Sequence, residues 1–178
     1  AILSGDSMLV LAYQRMAQCR RDKLADVLNL FTETALEIGE GQQYDMEFEH
    51  RNDVTEAEYI EMIRLKTSVL LACALKIGAL LADAPEADCD NLYRFGEKIG
   101  LAFQLQDDFL DVYGDTKVFG KTIGGDILAG KKTFMLINAL AHANDSQRKE
   151  LEQWLAINDR PKEKIEAVTR LYNEIGID

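Results

Sequence analysis

Val69-Leu70-Leu71-Ala72-Cys73-Ala74-Leu75 is the longest unbroken apolar run in the chain, and Lys76 ends it. It is far too short to cross a bilayer, which takes about 20 residues. What precedes it makes it helical. Thr55 is followed three residues later by Glu58, the spacing of a capping box, and no proline interrupts the segment from there to about Ala82. The spacing predicts the longest helix of the chain over 55–82. Beyond Val69 that helix is apolar on almost every face, which predicts burial at the centre of a bundle.

Working outward, only two prolines occur, Pro85 and Pro161, so long helices can form on either side. Met8, Leu9, Leu11, Ala12, Met16 and Cys19 recur at helical spacing over about Asp6–Cys19. Leu24, Val27, Leu28, Phe31, Ala35 and Ile38 do so over about Asp22–Ile38, with Gly39 and Gly41 expected to stop that helix. Glu86–Asp111 reads as a further helix with Leu92, Phe95, Ile99, Ala102, Phe103 and Leu110 facing inward. Val112–Lys132, with Gly114, Gly120, Gly124, Gly125 and Gly130, reads as a loop or linker. Helical spacing returns over Lys132–Ala143, Ser146–Ile157 and Pro161–Ile175, Pro161 suiting a first turn. No strand alternation, repeat or low-complexity tract is present, so the expected fold is an all-α helix bundle.

The bulk numbers agree. A chain of 178 residues with 47% hydrophobic and 29% charged residues fits one compact globular domain. A formal charge of -11 is unfavourable for nucleic acid, which is bound chiefly through Lys and Arg. No stretch predicts membrane insertion, and Ala1-Ile2-Leu3-Ser4-Gly5-Asp6 lacks the basic start and apolar core of a secretory signal. Cys19, Cys73 and Cys89 are an odd, widely spaced set without CxxC, read as reduced thiols of a cytoplasmic protein.

The chemistry concentrates in Gln104-Leu105-Gln106-Asp107-Asp108-Phe109-Leu110-Asp111. Asp107 and Asp111 share a helix face, with Asp108 flanking. Like charges at this spacing oppose a surface helix by roughly 0.2 to 0.5 kcal/mol per pair, and by more where water is excluded. A cation removes that penalty. Oxygen donors without a neighbouring His or Cys suit a hard ion, and Mg2+ commonly takes one or two carboxylates together with phosphate oxygens. The alternative is a solvated acidic helix end, against which Phe109 and Leu110 speak. An EF-hand fails because its acidic spacing and central glycine are missing.

Downstream, Phe119-Gly120-Lys121-Thr122-Ile123-Gly124-Gly125-Asp126-Ile127-Leu128-Ala129-Gly130-Lys131-Lys132-Thr133 sets lysines beside the acids. It is not a P-loop, because Lys131 is followed by Lys132 instead of Ser or Thr. Upstream, Lys66 and Thr67 interrupt an otherwise apolar helix. Lys66 is a candidate diphosphate ligand, with a salt bridge or a snorkelling stem as its alternative. Gly41-Gln42-Gln43-Tyr44-Asp45 puts an amide and a carboxylate just after an expected helix end.

In this order the pieces resemble the trans-isoprenyl diphosphate synthases, the polyprenyl synthetase family that includes farnesyl and geranylgeranyl diphosphate synthases. Ala1–Asp6 is similar to the family's AILxGD, Gly41-Gln42 with Asp45 to its GQxxD, and Lys66-Thr67 to its KT pair. Phe103–Asp111 is similar to its second aspartate-rich motif, followed by Gly120-Lys121, Gly124-Gly125-Asp126-Ile127 and Gly130-Lys131. The resemblance implies an isoprenoid-synthase bundle around a central cavity. It implies a prenyltransferase that joins an allylic prenyl diphosphate to isopentenyl diphosphate, working as a homodimer with Mg2+, or Mn2+ as an alternative.

It further implies that Asp107, Asp108 and Asp111 bind the metal with Asp126 close by. Lys66, Thr67, Gln104, Lys121 and Lys131 would address the allylic diphosphate, and Gln42 and Asp45 would line the cavity. Lys66, Thr67, Gln104, Lys121 and Asp107 then make the catalytic set. His50 and His142 lie outside these motifs and read as surface residues, since the released diphosphate can accept the proton. In that family the first aspartate-rich motif lies upstream of AILxGD, and further helices normally follow the point matched by Asp178. Residues 1–178 are therefore expected to be the central and C-terminal portion of a synthetase domain, inactive alone. Two alternatives remain. A class I terpene cyclase would carry a second metal motif mixing Asn, Ser or Thr with acid, where this chain has DDxxD and a lysine loop. A non-catalytic subunit of a heteromeric synthase would not need Lys66, Gln104, Lys121 and Lys131 beside three aspartates.

Overall fold

The computed structural model describes residues 2–115, 120 and 123–177. Among them every regular element is a helix: α1 Ile2–Met16, α2 Leu24–Phe48, α3 Glu56–Ile63, a π-helical segment Arg64–Ser68, α4 Val69–Leu81, α5 Glu86–Tyr113, α6 Gly125–Ala129, α7 Phe134–His142, α8 Asp145–Ala156 and α9 Pro161–Ile175. The all-α expectation holds. No described helix is long and apolar enough to cross a membrane. The chain divides into two compact units, Ala1–Gln43 with Ile63–Leu101, and Tyr44–Met62 with Ala102–Asp178.

In the first unit, α2 does not stop at Gly39 and Gly41 but runs through both to Phe48. Gly41 is there for closeness. A Cβ on it would lie 2.4 Å from the Lys66 backbone nitrogen, so the glycine lets α2 lie against the π-helical segment. Gln42 and Asp45 consequently stand on a helix and not beyond its end. Arg64 links the helices here, 3.6 Å from Glu37 and 3.2 Å from Glu97.

The helix expected over 55–82 is interrupted by the five π-helical residues Arg64–Ser68, and α5, at 28 residues, is the longest. Its start follows the sequence signal: the Thr55 amide donates to a Glu58 carboxylate oxygen at 2.8 Å, and the Glu58 amide to the Thr55 hydroxyl at 3.3 Å. The burial expectations need correction. Val69, Ala72, Cys73 and Ala79 of α4 are buried, but Leu70 and Leu71 are exposed. On α5, Leu92, Phe95, Ile99 and Phe103 are exposed as well. Apolar spacing identifies a face that can be covered; whether a neighbour covers it depends on tertiary packing.

In the second unit Val112, Ile127, Met135, Leu136, Ala139, Leu151, Val168, Leu171 and Tyr172 form the core. Each buried Val, Ile, Leu or Met side chain among them stabilises by about 1.5–3 kcal/mol. Thr133 caps α7, its hydroxyl accepting from the Leu136 amide at 3.3 Å. Asn144 and Gln147 form a full capping box on α8, one position before the expected start. α9 occupies Pro161–Ile175 as expected and ends at Gly176 in the left-handed region. The stretch read as a loop, 112–132, contains the end of α5 and the short α6.

Candidate active site

The last turns of α5 bring Gln104, Asp107, Asp108 and Asp111 into the second unit, and these acids are unlike one another. Asp108 is 2% exposed. It accepts from the buried Tyr59 hydroxyl, from the Gln104 amide at 3.2 Å and from the Phe134 backbone N–H at 3.2 Å. That last donor opens α7, where an N–H has no partner within its helix and negative charge is favoured. Burial nevertheless pushes the Asp108 carboxyl above the usual carboxylate range, opposed by those three donors and by the charge of Lys131. The Tyr59 phenol is likewise pushed up, first by burial and then by Asp108, with smaller contributions from Asp126 and Asp45.

Asp111, 8% exposed, holds the start of α6. Its carboxylate accepts from the Asp126 N–H at 3.0 Å, and its backbone carbonyl from the Gly124 N–H at 2.6 Å. Gly124 is required by its conformation: φ is +79°, and a Cβ would lie 2.6 Å from Ile165. Burial raises the Asp111 pKa, the amides of Asp126 and Gly125 lower it, and the charges of Asp126 and Asp107 raise it. Asp107, Asp111 and Asp126 thus share one electrostatic neighbourhood. Within the cluster Asp107, Asp108 and Asp111, Asp107 is the least buried.

Lys131 follows α6, its Nζ 3.8 Å from Asp126 and its amide donating to the Asp126 carbonyl at 3.0 Å. Lys131 and Lys132 line a cavity of about 370 Å³ together with Asp45, Phe48, Glu49, His50, Ala129 and Gly130. Of the residues picked out by sequence, the second unit therefore holds Asp45, Gln104, Asp107, Asp108, Asp111, Asp126 and Lys131. Gln42, Lys66 and Thr67 belong to the first, where Lys66 and Thr67 lie in the π-helical segment against Gly41. Lys121 lies outside the described residues. Sequence reasoning missed Tyr59, whose one signal is that a tyrosine buried in a helix needs a partner for its hydroxyl. His50, read from the sequence as a surface residue, is exposed and lies on the cavity wall.

Among the described residues no three acids, histidines or cysteines surround a common point. The donors are nonetheless all carboxylate oxygens beside a lysine. That set fits a hard cation bound through one or two carboxylates and completed by oxygens of a ligand, and does not fit a closed cage.

The polyprenyl synthetase family profile matches residues 1–175. The short chain isoprenyl diphosphate synthase of Methanocaldococcus jannaschii is 40% identical over 166 residues, covering 93% of this chain and 50% of that protein. The geranylgeranyl diphosphate synthase of Sulfolobus acidocaldarius is 35% identical over 182 residues, 100% of this chain and 55% of the relative. A crystal structure of a geranylgeranyl pyrophosphate synthase superposes with a TM-score of 0.92 at 42% identity, over 98% of this chain and 55% of that one. The chain thus spans about half the length of the relatives it matches. With motifs, helical fold and similarity in agreement along nearly its whole length, the chain belongs to the polyprenyl synthetase family.

Proposed function

We propose that this chain forms part of a trans-prenyl diphosphate synthase, which joins an allylic prenyl diphosphate to isopentenyl diphosphate and releases diphosphate. The observation that carries this reading is the grouping of Asp107, Asp111, Asp126 and Lys131 at the junction of α5 and α6: acids for a cation and a cation for phosphate, side by side. The names of its relatives support it.

Asp107, with Asp108, Asp111 and Asp126, would hold Mg2+, or Mn2+ in its place. When bound, the ion neutralises charge on the leaving diphosphate, where negative charge develops. Lys131, Gln104, Lys121, Lys66 and Thr67 would bind the allylic diphosphate. Gln42 and Asp45 would line the cavity in which the double bond of isopentenyl diphosphate attacks the allylic carbon. The released diphosphate takes the proton, so no histidine base is required. The working protein is a homodimer, and three free thiols fit a reducing compartment such as the cytoplasm.

The intact protein, given Mg2+ and labelled isopentenyl diphosphate with dimethylallyl or geranyl diphosphate, should make a longer prenyl diphosphate. Absence of any extended product would overturn the reading.

A further inference from the structure

Lys164, in the first turn of α9, is 1% exposed. Its Nζ donates to the Leu155 carbonyl at 3.0 Å and to the Leu128 carbonyl at 3.4 Å. Burying an ammonium against carbonyls is costly, and packing alone would be served better by Leu or Met. Both carbonyls belong to the last turns of helices, α8 and α6, where they lack partners within the helix and the helix dipole is negative. α6 is only five residues long, too short to stand unaided. What grips it sets its position. Asp111 holds its beginning through the amides of Gly124 and Asp126, and Lys164 holds its end through Leu128. The helix between these two grips carries Asp126 and leads directly into Lys131.

We propose that Lys164 is a positioning residue. Gripping the carboxyl end of α6 opposite Asp111, it fixes where Asp126 and Lys131 stand in the site. The consequence for turnover rests on the prenyl-transfer reading; the positioning does not.

The test uses the intact protein with Lys164→Met, which keeps the stem and removes the charge, and Lys164→Arg, which keeps the charge. In Lys164→Met, amide exchange at Asp126 and at Leu128–Lys131 should quicken about tenfold relative to Val27 and Cys73 in the other unit. The KM for the allylic diphosphate should rise about tenfold with a smaller change in kcat, and Lys164→Arg should recover most of both. Exchange that is unchanged at α6, or that quickens equally everywhere, overturns the proposal. So does a local quickening that leaves KM unmoved. If Lys164→Met does not fold, Lys164→Gln, which retains one donor, is read in the same way. If the unsubstituted protein makes no prenyl product, the functional reading fails and amide exchange alone decides the role of Lys164.

Discussion

Asp108 and Tyr59 are a buried acid and its buried donor, and both can be tested one atom at a time. Tyr59→Phe removes the hydroxyl and leaves Asp108 with one donor fewer inside the fold, which should cost about 1–3 kcal/mol in chemical denaturation. An unchanged midpoint would mean that the hydrogen bond does not form. Burial raises the Asp108 pKa, so protonation favours the folded state. The stability this group contributes is complete below its ordinary value of 3.8 and is lost as pH rises through the raised value. Asp108→Asn cannot ionise. Whatever its absolute Tm, the change in Tm between about pH 4 and about pH 7 should be less unfavourable to the fold than in the parent; an identical profile would contradict the raised pKa. Gln104, one turn before Asp108 on the same helix, was within reach of the pattern. The sequence identified Asp108 as important but could not show that it is spent partly on holding Tyr59 and Phe134, because those partners come from distant segments. Lys164 was hidden for the same reason, since Lys162-Glu163-Lys164 reads as an ordinary solvated turn.

Helix boundaries were legible where a local side chain makes them. Thr55 and Glu58 form the capping box that their spacing announces, and Thr55→Ala should cost about 1 kcal/mol, read as a lower thermal midpoint. An unaltered midpoint would show that the cap does not support α3. Glycine was the misleading signal. Gly39 and Gly41 look alike in sequence, yet nothing lies within 4 Å of a Cβ at Gly39, while one at Gly41 would strike the Lys66 and Leu65 positions at 2.4–2.8 Å. Gly39→Ala should therefore stabilise by about 0.5–1 kcal/mol, whereas Gly41→Ala should destabilise by about 1–3 kcal/mol despite the better helix former. Thermal denaturation of the two variants checks this, and shifts of the same sign would contradict it. The π-helical segment carrying Lys66 and Thr67 had no sequence signature, although such segments often mark functional positions.

At the scale of the molecule, scarce proline and recurrent three-and-four spacing were enough for an all-α fold. The order of short motifs was enough for the family. The same spacing could not tell covered faces from open ones: Leu70, Leu71, Leu92, Phe95 and Ile99 follow the pattern of a core and are exposed. The acidic cluster of α5 was legible as a group, and its division of labour was not. Asp108 and Asp111 organise α7 and α6 through backbone amides, and Asp107 is the least buried. The most direct test of the central claim is therefore Asp107→Ala in the intact protein, assayed with Mg2+, isopentenyl diphosphate and an allylic diphosphate alongside circular dichroism. Most turnover should be lost with helical content nearly unchanged; unaltered turnover would remove this cluster from the mechanism.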